Sequence, residues 1–503
     1  MVDHLADEKH PDDLVPPEYR AENLVTGVIP LEDTSKPRWE RIRPALACGA
    51  GLFSDGYLQS VIGPVNTCFK LIYGDEYKKS TAAQNVSAIA FAGTVVGQLV
   101  FGYTSDKYSR KWSLMVSTII LFVFAVLGAG AYGYHGSHTG LFAALTAYRF
   151  LLGIGIGGEY PAGSVGCAES SGELKAGHRN RWFVLFTNVQ IDIGFIIGVL
   201  VPMIVARITD NLEVVWRVSL GIGLIPPLSL MYLRLKLKEP EAANRETFRQ
   251  TRLPYWLALK FYGPRLAVVC TIWFIYDFLT YPFSIYSTTF IQIIQPKQAL
   301  WQTFGWSVLI NFFYLPGALI GSWVADWLGP QLALSIFVAA QGILGFIMAA
   351  CEPYLATEKY VGAFVVVFGV FLMLGEIGPG DNIGLIASKS CATGIRGQYY
   401  AIAAALGKVG ALVGTYIFPI IIADGGDSVT KQNQYPFWVA SSLCLFSATI
   451  VWLLPKINQD TIEQEDAKFR AYLTAHGYDV SKMGTLEWQE KRRESVSHNE
   501  YVQ

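Results

Sequence analysis

The chain has 503 residues, of which 52% are hydrophobic and only 16% are charged, and its formal net charge is −1. Soluble proteins carry about 25% charged residues, and a soluble chain of this length would divide into several domains, each with a charged surface. The composition therefore excludes an ordinary soluble protein and places most of the chain in a lipid bilayer. The near-neutral net charge argues against nucleic acid as a partner.

Polar sequence occupies both ends of the chain and one stretch in its middle. Residues 1–43 have no signal-peptide pattern and are predicted to be a cytosolic amino-terminal arm. Residues 236–265 form a charged central loop, and residues 456–503 form a polar cytosolic tail. These segments separate two long apolar regions, 44–235 and 266–455, which are predicted to be two six-helix halves.

Apolar spans long enough to cross a bilayer recur through both regions. The first six lie at 44–68, 84–104, 113–134, 141–166, 183–206 and 217–235. The second six lie at 266–292, 304–328, 332–352, 361–387, 397–422 and 437–455. This arrangement is typical of a two-halved transporter, and it predicts an all-α membrane protein with twelve transmembrane helices.

Lysine and arginine are distributed unevenly between the two sets of loops. If both termini are cytosolic, the inner loops hold the larger set, which includes Lys107, Arg110, Lys111, Lys175, Arg179, Arg181, Lys389 and Arg396. This asymmetry satisfies the positive-inside rule. We therefore expect a multi-pass protein with both termini in the cytosol.

Two motifs of the amino-terminal half return in altered form in the carboxy-terminal half. GYTSDKYSRK at 102–111 recurs as GSWVADWLGP at 321–330, and EYP at 159–161 is echoed by EIGPGD at 376–381. An internal repeat places a binding site at the interface between the halves, near the midplane of the membrane.

Charged and polar side chains lie inside several spans, where a charge costs about 2.5–3.5 kcal/mol at the bilayer centre. Asp277 and Lys408 are so deep that a function is favoured over packing. Trp273, Asp277 and Tyr281 recur every four residues and share one helix face. The other polar side chains of this kind are Asp55, Glu159, Tyr160, Asn188, Gln190, Asp192 and Asp381.

GYTSDKYSRK resembles the signature between the second and third helices of the major facilitator superfamily, although Ser109 stands where that family usually has glycine. RFLLGIGIGGEYP resembles the fourth helix of its phosphate:proton symporter branch. LFSDGY, GGEYPAGS, WFIYDFLTYP and GEIGPGDNIG resemble the fungal glycerophosphodiester transporters, which take up glycerophosphoinositol and glycerophosphocholine.

The resemblance implies a secondary transporter that imports a glycerophosphodiester with protons across the plasma membrane by alternating access. It implies no enzymatic step and no cofactor. The residues that resemble the substrate site of the phosphate transporters are Tyr160, Trp273, Asp277, Tyr281 and Lys408. Asp55 and Glu159 match the proton route of that family, and Asp277 is assigned to proton coupling as well as to substrate.

Other residues extend this predicted site. Asn188 and Gln190 of the fifth span are added as polar substrate contacts. Gly380 follows a glycine-proline pair that predicts a locally broken tenth helix, with added room beside the phosphate site. Asp381 would accept hydrogen bonds from glycerol or inositol hydroxyls, or face a choline ammonium. A purely structural role in helix packing is the alternative for both residues of this Gly-Asp pair.

Asp106 and Arg110 are predicted to pair at the inner ends of helices and to hold one gate shut. The seven cysteines form no CxxC pair, so we interpret them as small buried hydrophobes rather than metal ligands. Two alternatives to glycerophosphodiester import stay open, an inorganic phosphate:proton symporter and a transporter-like nutrient sensor. No nucleophile elbow, metal-ligand cluster or phosphate loop suggests a membrane enzyme.

Overall fold

The computed structural model describes residues 38–171, 178–236, 248, 251–454, 456–457, 461–480 and 483. Within these residues, eleven helices are long and apolar enough to cross a membrane, and a twelfth, α1, is divided into the pieces Arg38–Gly49, Phe53–Ser60 and Ile62–Ile72. The others are α2 (Ala82–Lys107), α3 (Arg110–Ala129), α4 (His138–Ser170), α5 (Arg179–Ile208), α6 (Leu212–Leu235), α7 (Tyr255–Ile285), α8 (Leu300–Trp327), α9 (Pro330–Leu355), α10 (Val361–Lys389), α11 (Thr393–Asp424) and α12 (Val429–Leu453).

The predicted twelve-helix architecture is therefore confirmed, with α1–α6 as the amino-terminal half and α7–α12 as the carboxy-terminal half. Large apolar side chains on the outside of the bundle, such as Leu99, Trp112, Ile119 and Ile343, stay exposed. Because lipid is as apolar as these side chains, this surface needs no protein cover. Most of the predicted amino-terminal arm, part of the central loop and the last part of the tail lie outside the described residues.

Glycines allow α2 and α4 to pack with their backbones in contact. A Cβ atom added at Gly153 would lie 2.1 Å from the Ala90 carbonyl oxygen, and one added at Gly157 would lie 2.4 Å from that of Thr94. The same holds for Gly93 on the facing helix. Close approach of this kind is the use that membrane bundles make of small residues, so the glycine-rich sequence of α4 serves helix packing.

The predicted central loop and tail contain ordered helix. α7 begins at Tyr255, well before the predicted start of its span, and the tail includes a helix, α13 (Thr461–Ala475). Phe469 of α13 is fully buried and packs against the Phe261 and Tyr262 rings at the start of α7. This contact gives both segments an apolar partner, and α13 forms a helix in spite of its polar composition.

Polar contacts also fix α13 to the carboxy-terminal half. Arg265 of α7 forms an ion pair with Glu465 at 3.0 Å. The Asp466 carboxylate accepts hydrogen bonds from the backbone N–H and the side-chain hydroxyl of Thr393, at 2.6 and 2.7 Å. α13 therefore joins the start of α7 to the start of α11.

The two halves meet along α2 with α11 and along α5 with α8. We call the end of the bundle that carries Lys107, Arg110, Arg179, Lys389 and Arg396 the basic end. At the opposite end, the Tyr416 hydroxyl of α11 donates to the Asn85 side chain of α2 at 2.8 Å. Asn85 begins Asn-Val-Ser, an acceptor sequence for N-glycosylation, and this contact between halves involves the side chain that would carry a glycan.

Candidate substrate site

Lys408 of α11 lies in a buried charged group at the interface between the halves. Its ammonium nitrogen is 3.2 Å from the Asp277 carboxylate of α7 and 3.5 Å from the Asp55 carboxylate of α1. None of the three residues is more than 1% exposed. Because Asp55 belongs to the amino-terminal half and Lys408 to the carboxy-terminal half, one buried cation links both.

Two tyrosines complete this group. The Tyr281 hydroxyl of α7 donates to Asp55 Oδ2 at 2.7 Å and lies 3.1 Å from the Tyr160 hydroxyl of α4. The Tyr160 hydroxyl also donates to Asp55, and the Lys408 ammonium donates to Tyr281. We name Asp55, Tyr160, Asp277, Tyr281 and Lys408 the lysine cluster. The cluster contains two carboxylates and one cation, so binding of one proton would make it neutral.

A second polar group faces the same interface from α5 and α10. The Asn188 side-chain amide donates to Glu376 at 2.7 Å and to Asp381 at 2.8 Å, and the Tyr276 hydroxyl donates to Glu376 at 2.6 Å. Neither carboxylate oxygen of Asp192 has a hydrogen-bond partner among the described residues. We name Asp192, Glu376 and Asp381 the acidic cluster.

One cavity of about 40 Å³ is bounded by members of both clusters. Its lining includes Tyr160, Asp192, Trp273, Asp277, Glu376 and Asp381. About 10–15 Å³ of this kind of free space is needed for one water molecule, so the cavity has room for a few waters and must widen before a larger molecule can enter. The two halves contribute facing walls, and their separation would provide that space.

Three further predicted site residues differ in their relation to this cavity. Trp273 lines it and packs edge-on against the Tyr400 ring, with the ring centres 5.2 Å apart. Gly380 also lines it, and a Cβ atom added there would lie 2.2 Å from a Glu376 carboxylate oxygen. Gln190 is not part of the lining, because its side-chain amide turns back to the Leu185 carbonyl at 3.3 Å.

Local distortions of α4 and α10 place several of these side chains. Residues Glu159–Ser164 and Glu376–Gly380, the two copies of the repeated motif, each form a π-helical turn that contains a proline. Gly378 departs from helical geometry with ψ of −107°, and the Asn382 amide donates to the carbonyls of Ile377 and Gly378. The predicted break in the tenth helix is thus present, and a side chain satisfies the backbone groups that it frees.

Glu159 lies apart from the lysine cluster, in a buried ion pair with Arg234 of α6. Both Glu159 oxygens accept from the Arg234 guanidinium, one of them at 2.7 Å, and the Ser117 hydroxyl donates to Glu159 at 2.9 Å. Neither Glu159 nor Arg234 is more than 1% exposed. These contacts give Glu159 a structural partner, and its role in a proton route stays a prediction.

A buried polar network connects the two halves at the basic end. Asp106 and Arg110 are 3.3 Å apart, and the Asp106 carboxylate also accepts from the backbone N–H of Gly397 at the start of α11, at 3.0 Å. Glu169 of α4 lies 2.6 Å from Arg110 and 3.1 Å from Arg396. The pairing of Asp106 with Arg110 agrees with the sequence prediction, and Glu169 and Arg396 extend it across the interface.

Comparison with known proteins places this site in a family. A sequence profile described as "Sugar (and other) transporter" matches residues 45–242 and 241–469. The chain belongs to this transporter family, within the major facilitator superfamily. It is 47% identical to the glycerophosphocholine permease GIT4 of Candida albicans, over 90% of this chain and 85% of that one. It is 46% identical to the major glycerophosphoinositol permease GIT3 of the same organism, over 88% of this chain and 83% of that one.

Solved structures agree with this membership. The proton:xylose symporter XylE bound to 6-bromo-6-deoxy-D-glucose superimposes with a TM-score of 0.68 at 17% identity, covering 85% of this chain and 98% of that one. At this identity the likeness shows the fold alone. The family profile and the permease relatives show that the chain is a multi-pass membrane transporter and not an enzyme.

Sequence reasoning about this transporter missed two partners. Arg234 was not singled out, because an arginine near the end of an apolar span usually extends to the membrane interface, whereas Arg234 is buried. The position of Glu169 was also missed, because its two arginines, Arg110 and Arg396, are far away in sequence. In both cases the signal was the charge itself inside or beside an apolar span.

Proposed function

We propose that this protein is a proton-coupled secondary transporter that imports glycerophosphodiesters across the plasma membrane by alternating access. The observation that supports this proposal best is the buried Lys408 at the interface between halves, in contact with Asp55 on one side and Asp277 on the other. The names of GIT3 and GIT4 supply the substrate class.

A phosphodiester suits this site because it carries one fixed negative charge. A buried ammonium lowers the cost of removing that charge from water, and charge-assisted hydrogen bonds from Lys408 and the two tyrosine hydroxyls would hold the phosphate oxygens. The phosphate would then replace carboxylate oxygens around Lys408. We therefore assign substrate binding to Tyr160, Trp273, Asp277, Tyr281 and Lys408, with Asn188, Gly380 and Asp381 at the other side of the cavity.

The same contacts suggest how binding would release the halves. The Lys408–Asp55 contact crosses the interface, so a phosphate that takes over Lys408 weakens one attachment between them. The cavity can then widen toward one end of the bundle. The network of Asp106, Arg110 and Glu169 would close the basic end while the opposite end is open.

Proton coupling follows from the charge balance of the lysine cluster. With both carboxylates ionised, the cluster has a net charge of −1. A bound phosphodiester would make the net charge of this buried site −2. One proton on a carboxylate restores the original balance. Asp55 is our main candidate because its carboxylate lies farther from the Lys408 ammonium, at 3.5 Å, than that of Asp277, at 3.2 Å.

The direction of transport depends on orientation. The basic end is assigned to the cytosol on the positive-inside rule, so both termini would be cytosolic. An inside-negative potential opposes entry of a monoanion by about 2.3 kcal/mol per 100 mV. Each proton carried with the substrate cancels one negative charge, and each pH unit of gradient adds about 1.4 kcal/mol.

Uptake of labelled substrates by a host that lacks its own glycerophosphodiester transporters tests the proposal. We expect saturable uptake of glycerophosphocholine or glycerophosphoinositol that increases at acid external pH and stops with a protonophore. Uptake of inorganic phosphate alone would favour the phosphate symporter instead. A signalling response without any uptake would favour the nutrient sensor.

A further inference from the structure

The acidic cluster is larger than phosphate binding requires. Asp192 of α5 and Glu376 and Asp381 of α10 are each no more than 2% exposed, and all three line the cavity. Among the cavity-lining residues there is no lysine or arginine to balance them. A phosphate anion would be repelled by this wall of the cavity.

The hydrogen bonds to the acidic cluster do not neutralise its negative charge. Asn188 and Tyr276 act only as donors to Glu376 and Asp381. The carboxylate of Asp192 faces the cavity with both oxygens unpartnered among the described residues. A buried carboxylate without a donor is costly, and a cation entering the cavity would relieve that cost.

The adjacent wall is shaped around these carboxylates. A Cβ atom added at Gly380 would lie 2.2 Å from a Glu376 oxygen and 2.7 Å from the Tyr276 hydroxyl. The absence of a side chain at Gly380 therefore lets the Glu376 carboxylate and the Tyr276 ring occupy the cavity wall. An aromatic ring beside carboxylates is a favourable surface for an alkylammonium group.

The two clusters are neighbours along α7. Tyr276 contacts the acidic cluster, and the next residue, Asp277, contacts Lys408. A ligand that places an anion at Lys408 can therefore place a nearby group against the acidic cluster. In glycerophosphocholine, the ammonium follows the phosphate oxygen after two carbons, so one molecule supplies both charges.

We propose that the acidic cluster is a head-group subsite for an alkylammonium, and that this transporter prefers zwitterionic phosphodiesters such as glycerophosphocholine over glycerophosphoinositol. The inference rests on the proposed function, because the phosphate must occupy the lysine cluster. Sequence identity does not distinguish between the choline and inositol substrates, since GIT3 and GIT4 are almost equally similar to this chain.

The test compares KM values for labelled glycerophosphocholine and glycerophosphoinositol in Asp192→Asn and Asp381→Asn. For the choline substrate we expect KM to rise at least about tenfold in both variants, which corresponds to about 1.4 kcal/mol. The KM for the inositol substrate should change little in Asp192→Asn, and it should rise less than that for the choline substrate in Asp381→Asn, because the amide oxygen can still accept a hydrogen bond from a hydroxyl. Glu352→Gln is the matched control, because Glu352 is fully buried with both oxygens unpartnered among the described residues but does not line the cavity.

Equal KM increases for both substrates, or no increase for either, would overturn the inference and favour a general proton-carrying role for these carboxylates. Surface abundance of each variant is measured in parallel.

A second measurement needs no variant. Glycerophosphoethanolamine should compete with labelled glycerophosphocholine better than glycerophosphoinositol or glycerol 3-phosphate does, and the reverse order would also overturn the inference. Uptake of glycerophosphoinositol without glycerophosphocholine contradicts only this inference, whereas uptake of neither contradicts the proposed function itself.

Discussion

Asp55 of α1 and Lys408 of α11 lie 3.5 Å apart across the interface between the two halves. The contact joins helices from opposite ends of the sequence inside a fully buried site. It brings a residue that was predicted for the proton route into direct contact with the residue predicted to bind the anion. Proton binding and substrate binding can therefore compete for the same few atoms.

The first prediction is that Asp55→Asn abolishes concentrative uptake and spares exchange of substrate across the membrane. The amide cannot take up a proton, so the pH gradient is no longer coupled to transport. In proteoliposomes with a gradient of one pH unit, each coupled proton is worth about tenfold in accumulation. Accumulation by the variant equal to that of the unchanged protein would contradict the assignment of Asp55.

The second prediction concerns the cation. Lys408→Ala should remove substrate binding, and Lys408→Arg should restore it poorly, because a planar guanidinium does not replace a compact ammonium in a closed cavity. Asp277→Asn should also impair transport, since Lys408 loses its closer carboxylate. Binding is measured by isothermal titration with glycerophosphocholine. Normal affinity in Lys408→Ala would place the anion site elsewhere.

The third prediction separates Glu159 from Asp55. Glu159→Gln leaves the Arg234 guanidinium buried without its counter-charge, which typically costs about 3–5 kcal/mol. We therefore expect reduced surface abundance and a lower unfolding temperature, which Asp55→Asn should not show. The double variant Glu159→Gln/Arg234→Met should recover stability. If Glu159→Gln is stable but uncoupled, then Glu159 belongs to the proton route as the family resemblance implies.

The fourth prediction concerns closure of the basic end. Glu169→Gln weakens the contacts with Arg110 and Arg396, so the cavity should open more often to that end. In a cysteine-free background, Ser164→Cys reports this opening, since Ser164 lines the cavity. Its labelling by a membrane-impermeant thiol reagent should become faster from the basic side. The conservative Arg110→Lys, which keeps the charge, serves as the comparison, and unchanged labelling in Glu169→Gln would contradict the gate.

The fifth prediction concerns the size of the site. A side chain at residue 380 would collide with Glu376 and Tyr276, so Gly380→Asn should narrow the cavity. We expect loss of glycerophosphodiester uptake, with inorganic phosphate uptake retained or improved. Uptake of the two kinds of substrate is measured in the same cells. Equal loss of both at normal surface abundance would leave Gly380 with a packing role only.

The twelve helices and much of the site could be predicted because each signal is local. Spans appear as apolar runs, and the break in α10 follows from its proline and glycines. Asp277, Tyr281 and the fold of α7 around them follow from helical spacing. Such patterns need no knowledge of which helix packs beside which.

The remaining features depend on contacts between segments that are distant in sequence. Nothing in the sequence indicates that Asp55 lies beside Lys408, or that Glu159 pairs with Arg234 instead. The acidic cluster also forms only when α5 of one half meets α10 of the other. The tail helix α13 is too polar for its docking to be visible before its partner on α7 is known.

The docked α13 has a practical consequence for labelling this transporter. Its contacts with Arg265 and Thr393 attach it to the carboxy-terminal half, so it should travel with that half through the transport cycle. A fluorophore on an exposed position of α13, such as Thr474, would then have no independent motion to obscure its signal. Paired with a second fluorophore on the amino-terminal half, it would report the distance between the two halves during each transport cycle.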